Sequence, residues 1–150
     1  MKKISPTQAI ICAIVVITAA VAAFYLTTRT AVSEGTLRIE YGSQVQELPL
    51  DRLEWISVQG IVRNGKGEEN DVDAQGILFA DVLKAANVGE FSTVTVTADD
   101  EYSAEVTSEE TADPGKVYLI KQEGGGVQLI VFCDENSKRN VSDVVRLTVQ

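Results

Sequence analysis

The chain of 150 residues contains no histidine, and it has only two cysteines and one tryptophan. Without histidine, Ser-His-Asp and Cys-His nucleophile chemistry is excluded, and the commonest metal-binding side chain is missing. Cys12 lies in an apolar N-terminal run and Cys133 lies near the C-terminus, so the two thiols fall in different environments. No disulfide framework is therefore expected.

Basic residues are also scarce beyond the N-terminus. All 22 acidic residues lie from Glu34 onward, whereas three of the 13 basic residues precede that point. The remainder thus holds 10 basic and 22 acidic residues, a net charge of −12. A surface this acidic repels phosphate backbones and anionic lipid, so nucleic acid is excluded as a partner.

The N-terminal segment is the longest uncharged stretch of the chain. Lys2 and Lys3 precede the run from Ala9 to Leu26, which contains no charged residue. Eighteen helical residues span about 27 Å, close to the hydrocarbon thickness of a bilayer. Flanking lysines favour a cytoplasmic N-terminus. We therefore predict that residues 1–30 form a single-pass anchor in the cell membrane and that residues 31–150 form an extracytoplasmic domain.

A cleaved signal peptide is the alternative interpretation of the same segment. Ala20-Val21-Ala22 offers the small-x-small pattern that signal peptidase requires. Against cleavage, the apolar run continues past this site to Leu26, which favours an anchor. Both interpretations export the domain, which is either membrane-bound or secreted.

The exported part alternates short strand patterns with turns. Leu37, Ile39 and Tyr41 recur with a period of two, as in a half-buried strand. The pattern predicts one clear amphipathic helix, beginning after Gly76. Further strands are predicted over residues 45–48, 55–63, 68–74, 93–98, 102–106, 117–120, 127–132 and 144–149, with a capped helical turn at 107–110. The fold class is therefore a compact, strand-rich α+β domain.

The order of elements from Leu48 to Val149 resembles a known family. The residues that carry the likeness are a turn over Leu48–Leu53, the run Gly76-Ile77-Leu78-Phe79-Ala80-Asp81-Val82-Leu83, the acidic turn Asp99-Asp100-Glu101-Tyr102-Ser103, and a closing segment from Gln128. In that order they resemble the oxidoreductase molybdopterin-binding domain of sulfite oxidase-like enzymes. The resemblance implies a fold built around a pterin-molybdenum cofactor.

The resemblance also implies where a cofactor would be held. Catalytic members bind molybdenum through a cysteine thiolate from an early loop, but the matching stretch here reads Val58-Gln59-Gly60-Ile61-Val62. A neutral amide does not replace an anionic thiolate. We therefore predict no catalytic residues, no metal site and no cofactor. The resemblance implies a ligand-binding rim at Gln59, Asp99, Asp100, Tyr102 and Arg139.

Other residues have two possible roles each. Cys133 is either a thiolate ligand or a small inert residue at a strand end, and its acidic neighbours favour the second. The acidic stretches 68–73, 99–101 and 134–136 can offer oxygen ligands to calcium, but they lack EF-hand spacing and are better explained as solvated turns. Trp55 is more simply a core anchor than a ligand platform. Asn140-Val141-Ser142 matches a glycosylation sequon.

Three functions remain open from the sequence. The favoured one is a membrane-anchored, extracytoplasmic binding or interaction module that serves an unidentified protein or small molecule. The second is a cofactor-dependent oxidoreductase or electron-transfer accessory with an unconventional ligand, for which Cys133 would be the only exported thiol. The third is a calcium-dependent adhesion module.

Overall fold

A computed structural model describes residues 15–19, 35–134 and 137–150. The chain divides into two compact units, residues 1–31 and residues 32–150. In the first unit, residues 15–19 are helical. The other residues of the predicted anchor, residues 1–30, lie outside the described residues. No helix within the described ranges is long and apolar enough to cross a membrane.

The second unit is a strand-rich α+β domain with two sheets, which confirms the predicted fold class at that level. The strands are β1 (Thr36–Tyr41), β2 (Gln44–Pro49), β3 (Ile56–Arg63), β4 (Glu69–Leu78), β5 (Thr93–Ala98), β6 (Ser103–Thr107), β7 (Val117–Lys121), β8 (Val127–Val131) and β9 (Val144–Val149). One sheet has five strands in the order β2-β1-β9-β5-β6, and the other has four in the order β3-β4-β7-β8. Strands β1 and β9 run parallel, whereas all other neighbours are antiparallel.

Short helical elements connect these strands. Helix α1 (Phe79–Ala85) follows β4, and helix α2 (Ser108–Ala112) follows β6. Single 3₁₀ turns cover Leu50–Arg52 and Ser137–Arg139. Thr107 and Glu110 form the predicted capping box at the start of α2, each bonding the other's backbone N–H.

The main core is shared by both sheets and α1. Alternation along β1 and β5 buries Leu37, Ile39, Val94 and Val96 completely. The four-stranded sheet contributes the alternate residues of β4, β7 and β8, and α1 contributes its apolar stripe: Ile77, Phe79, Val82, Leu83, Val117, Leu119, Val127, Leu129 and Val131. The two sheets are therefore held by one continuous apolar interior.

Trp55 lies at the margin of this core, as predicted. Its ring is partly buried against the core, and its indole N–H donates to the carbonyl oxygen of Leu50 over 3.1 Å. The hydrogen bond fastens the start of β3 to the 3₁₀ turn before it.

The predicted start of the helix is wrong by two residues. Gly76, Ile77 and Leu78 belong to β4, where they pair with Ile120, Leu119 and Tyr118 of β7. Helix α1 begins only at Phe79. Pairing with a neighbouring strand therefore outweighs the helical pattern of the sequence at these positions. The end of α1 agrees with the prediction, since Asn87 is left-handed (φ 53°) and Val88 N–H bonds the Leu83 carbonyl.

Gly76 is required by close packing between strands. A Cβ at this position would lie 2.8 Å from Val58 Cγ2 and 3.2 Å from the carbonyl oxygen of Leu119. We expect Gly76→Ala to lower the free energy of unfolding by roughly 1–3 kcal/mol, because the strand pairing leaves no room for a methyl group. Gln75→Ala, on the exposed side of the same strand, should change it by no more than about 0.5 kcal/mol. Urea denaturation of the two variants measures both values, and equal midpoints would contradict the packing argument.

Candidate functional site

The acidic turn between β5 and β6 presents three of the predicted site residues. Asp99 and Asp100 are exposed at its tip, and the Asp100 carboxylate accepts a hydrogen bond from the Tyr102 backbone N–H over 3.0 Å. Glu101 adopts a left-handed conformation with φ 67°. The Asp99 N–H donates to the Asp143 carbonyl over 3.0 Å, which ties the turn to the residues before β9. These bonds hold the turn in one conformation.

Tyr102 connects this turn to the segment between β8 and β9. Its side chain is 46% exposed, and its hydroxyl donates to the carbonyl oxygen of Lys138. Lys138 lies in the 3₁₀ turn Ser137–Arg139. Tyr102 thus lies next to the backbone that carries Arg139 and remains partly exposed to solvent.

Arg139 is the centre of an ion-pair network that we call the Arg139 cluster: Arg139, Glu110, Asp134 and Lys116. Its two terminal nitrogens donate to the two Glu110 carboxylate oxygens over 2.9 and 2.8 Å, and its Nε donates to Asp134 over 2.7 Å. Lys116 Nζ lies 3.7 Å from Glu110. The network joins the 3₁₀ turn to α2 and to the end of β8.

The electrostatics of the cluster follow from these contacts. The hydrogen-bonded guanidinium of Arg139 lowers the pKa of Glu110 to about 2, against the opposing effect of partial burial. Hydrogen bonds to Asp134 and Glu110 in turn raise the pKa of Arg139. Both carboxylates are hydrogen-bonded to the guanidinium of Arg139. These bonds hold the connection between β8 and β9 in place.

The side-chain hydrogen bond of Gln59 does not connect it to the acidic turn or to Arg139. Gln59 projects from β3 of the four-stranded sheet, where its amide donates to Asp73 on β4 over 3.3 Å. No hydrogen bond or ion pair among the described residues joins Gln59 to the acidic turn or to the Arg139 cluster. The structure therefore brings together Asp99, Asp100 and Tyr102, places them beside the turn of Arg139, and assigns Gln59 to another hairpin.

The stretch matched to the cofactor-binding loop is regular strand. Residues 58–62 pair with β4 from Ala74 to Asn70. Cys133 is exposed rather than packed at a strand end, and its backbone is left-handed with φ 57°. Within the residues that the structure covers, no three His, Cys, Asp or Glu side chains are grouped so that they can hold a metal ion.

A concave surface that the sequence reasoning missed lies on the outer face of the four-stranded sheet. A second apolar cluster, separate from the main core, consists there of Val58, Ile120, Ile130 and Phe132. Beside it lies an open cavity of about 470 Å³, which we call the outer groove. The groove is lined by aliphatic, polar and charged residues: Val62, Val72, Ala74, Ile120 and Ile130, then Asn64, Asn70, Gln128 and Asn140, and Arg63, Asp71 and Asp73.

The sequence held one signal for this surface. Residues 117–120 and 127–132 are almost continuously apolar, and strands of this kind are buried on both faces. Val58, Gly60 and Val62 alternate along β3 and lie on this same outer face of the sheet. The pattern indicated that a second face needs covering, but it did not indicate the concave shape.

The Arg139 cluster gives a prediction for stability. Arg139→Ala leaves the partly buried Glu110 and Asp134 without their shared cation, so we expect the free energy of unfolding to fall by roughly 2 kcal/mol. Arg146→Ala is the matched control, because Arg146 forms a single 3.2 Å pair with Glu101, whose side chain is 66% exposed. That control should cost no more than about 0.5 kcal/mol. If urea denaturation gave equal losses of unfolding free energy for the two variants, the cluster would contribute no more to stability than an exposed ion pair.

The lowered pKa of Glu110 gives a prediction for pH dependence. The folded-state value of about 2 lies below the ordinary value of 4.5, so the stabilisation is complete above about pH 4.5 and is lost as the pH falls towards 2. The difference in unfolding free energy between the unmodified chain and Glu110→Gln should narrow over that interval. In an Arg139→Ala background the narrowing should largely disappear. If the difference in unfolding free energy between the unmodified chain and Glu110→Gln stayed constant from pH 7 to pH 2.5, the lowered pKa assigned to Glu110 would be contradicted.

Comparison with known proteins adds no family to these observations. No protein-family model matches the chain, and a search of the curated proteins finds no match. The functional interpretation therefore rests on the geometry described above and on the resemblance seen in the sequence.

Proposed function

We propose that the chain is a membrane-anchored, extracytoplasmic binding or interaction module of molybdopterin-binding-like fold that lacks a molybdenum ligand. The observation that carries the proposal is the outer groove, a concave surface of the four-stranded sheet whose lining combines aliphatic side chains, carboxamides and the charged residues Arg63, Asp71 and Asp73. Clefts of this composition are the usual form of binding sites. The acidic turn with Tyr102 is a second exposed surface available to the same partner.

The two-sheet domain supports the fold part of the proposal. A 3₁₀ turn, a helix close after Gly76, an acidic turn between two strands and a C-terminal strand occur in the order that suggested the resemblance. The helix begins later than the likeness implied. The structure and the resemblance therefore agree in the order of the elements along the chain.

The residues at the proposed ligand position support a function without molybdenum. Gln59 presents a neutral amide that is already bonded to Asp73, and an amide is a poor ligand for a metal that catalytic members bind by a thiolate. Cys133 is exposed, follows the end of β8 and precedes Asp134, whose carboxylate pairs with Arg139. The amide of Gln59 is therefore suited to hydrogen bonding and not to binding molybdenum.

The lining of the outer groove suggests what kind of group it accepts. Its lining includes aliphatic side chains, carboxamides that can donate and accept hydrogen bonds at once, and the charged residues Arg63, Asp71 and Asp73. Such a surface suits an apolar group flanked by polar atoms, as in a peptide segment or an amphipathic small molecule. The surrounding acidic charge disfavours anionic partners.

Site-specific photo-cross-linking in cells that express the full chain tests the proposal. Asn70 and Gln75 lie on opposite faces of β4, and only Asn70 lines the outer groove. A photoreactive residue at position 70 should yield a discrete adduct, and one at position 75 should yield none. Val72→Glu should abolish the adduct at position 70, because it places a charge on the apolar floor.

Two results would overturn the proposal. Equal labelling from positions 70 and 75 would show that the groove has no preferred partner. Stoichiometric molybdenum in the purified full chain, lost on Cys133→Ser, would support the cofactor-dependent oxidoreductase instead.

A further inference from the structure

The two sheets have four edge strands, and three of them are protected from pairing. Strand β2 contains Glu47 and ends at Pro49, which cannot donate a ladder hydrogen bond. Strand β6 is only five residues long and carries Glu105. The outer edge of β8 is covered, because Leu129 N–H donates to the Val141 carbonyl over 2.8 Å. Charge, proline and covering segments are the usual means by which proteins block sheet edges.

Strand β3 is the exception. It is eight residues long and contains no proline, lysine or carboxylate, although the chain has 22 acidic residues. Ile56 and Ile61 on this strand are 40% and 54% exposed. Within the described residues, every recorded backbone pairing of β3 is with β4. A long unpaired edge with exposed apolar residues is a template for a further strand.

We propose that β3 pairs antiparallel with β3 of a second copy of this chain, in a register centred on Gly60, so that the two four-stranded sheets form one continuous sheet. This inference goes beyond the binding function proposed above and does not depend on it. A two-fold axis at Gly60 gives a closed, isologous dimer in which each copy contributes the same surface.

The side chains of β3 are self-complementary in this register. Val58 lies opposite Val62 of the second copy, and Gln59 lies opposite Ile61 of the second copy. Because the register keeps each side chain on its own face, the outer apolar cluster continues from one copy to the other. Pairs of β-branched residues directly opposite each other stabilise sheets.

Gly60 suits the position on the axis. The ring of Phe132 lies over it so closely that a Cβ would be 2.4 Å from Cε1. In the dimer the two Phe132 rings approach each other above the paired glycines. A contact between two aromatic rings adds to the stabilisation that apolar burial provides.

Charge favours β3 as the line of contact between two copies. Two domains with a net charge of −12 repel each other on most of their surface, but no carboxylate of β3 faces the seam. The only charged side chain of the strand, Arg63, is paired with Glu69 of its own copy over 3.2 Å and lies opposite Ser57 of the second copy. The pairing therefore brings no like charges directly opposite each other.

Light scattering of the full chain in detergent, over a concentration series, tests the proposal. The protein mass should approach twice 16.2 kDa. Ile61→Asp should weaken the dimer by about tenfold or more, because it places a carboxylate in the seam beside Asp71. Val45→Asp is the matched control: Val45 is 57% exposed on the edge strand β2, and its replacement should leave the dimer intact.

Cross-linking between two differently tagged copies checks the register independently of dimer strength. In a Cys12→Ser, Cys133→Ser background, Gln59→Cys in one copy and Ile61→Cys in the other should react efficiently with a short bifunctional thiol reagent. Gln59→Cys with Val45→Cys should not. A monomer at every concentration, a dimer that survives Ile61→Asp, or equal cross-linking of both pairs overturns the proposal. Cross-links from β3 to other proteins alone would show that the edge takes a foreign strand instead.

Discussion

The four-stranded sheet must cover two apolar faces, and most features of this domain depend on that constraint. Its inner face packs on the core shared with the five-stranded sheet, which satisfies Ile77, Leu119 and Leu129. Among the described residues, no second layer covers its outer face, which is covered only by its own side chains around Phe132. Dense packing on that face requires glycine at positions 60 and 76. The incomplete cover leaves the outer groove.

The Arg139 cluster solves a different problem, which is how the chain passes from one sheet to the other. Strand β9 lies between β1 and β5, so the five-stranded sheet is complete only when the C-terminal residues are in place. The described part of the connection from β8 to β9 buries two apolar side chains, Phe132 and Val141. Glu110 and Asp134 fix Arg139, and Tyr102 fixes the carbonyl of Lys138. Directional bonds thus add to apolar burial in fixing this segment.

The sequence was a good guide to individual elements and a weaker guide to the site. Alternation located β1, β5 and β9 because each buries a single face, and the capping box of Thr107 and Glu110 is a local signal. The start of α1 was misplaced because Gly76–Leu78 fit a helical stripe as well as a strand, and only β7 decides between them. The resemblance implies a place for Arg139 in a ligand-binding rim, but its two carboxylate partners lie 5 and 29 residues away in the sequence, where no local pattern indicates them.

Composition and periodicity by themselves determined the fold class, the acidic surface, the absence of histidine chemistry and the positions of most strands. These properties are local or additive, so they can be evaluated without knowing which residues meet. Tertiary structure alone decided which strand edges stay open, where Gln59 lies relative to Tyr102, and that the outer face of one sheet is concave. Such properties depend on pairings between distant segments, and a residue's neighbours across a sheet are set by the topology of the whole domain.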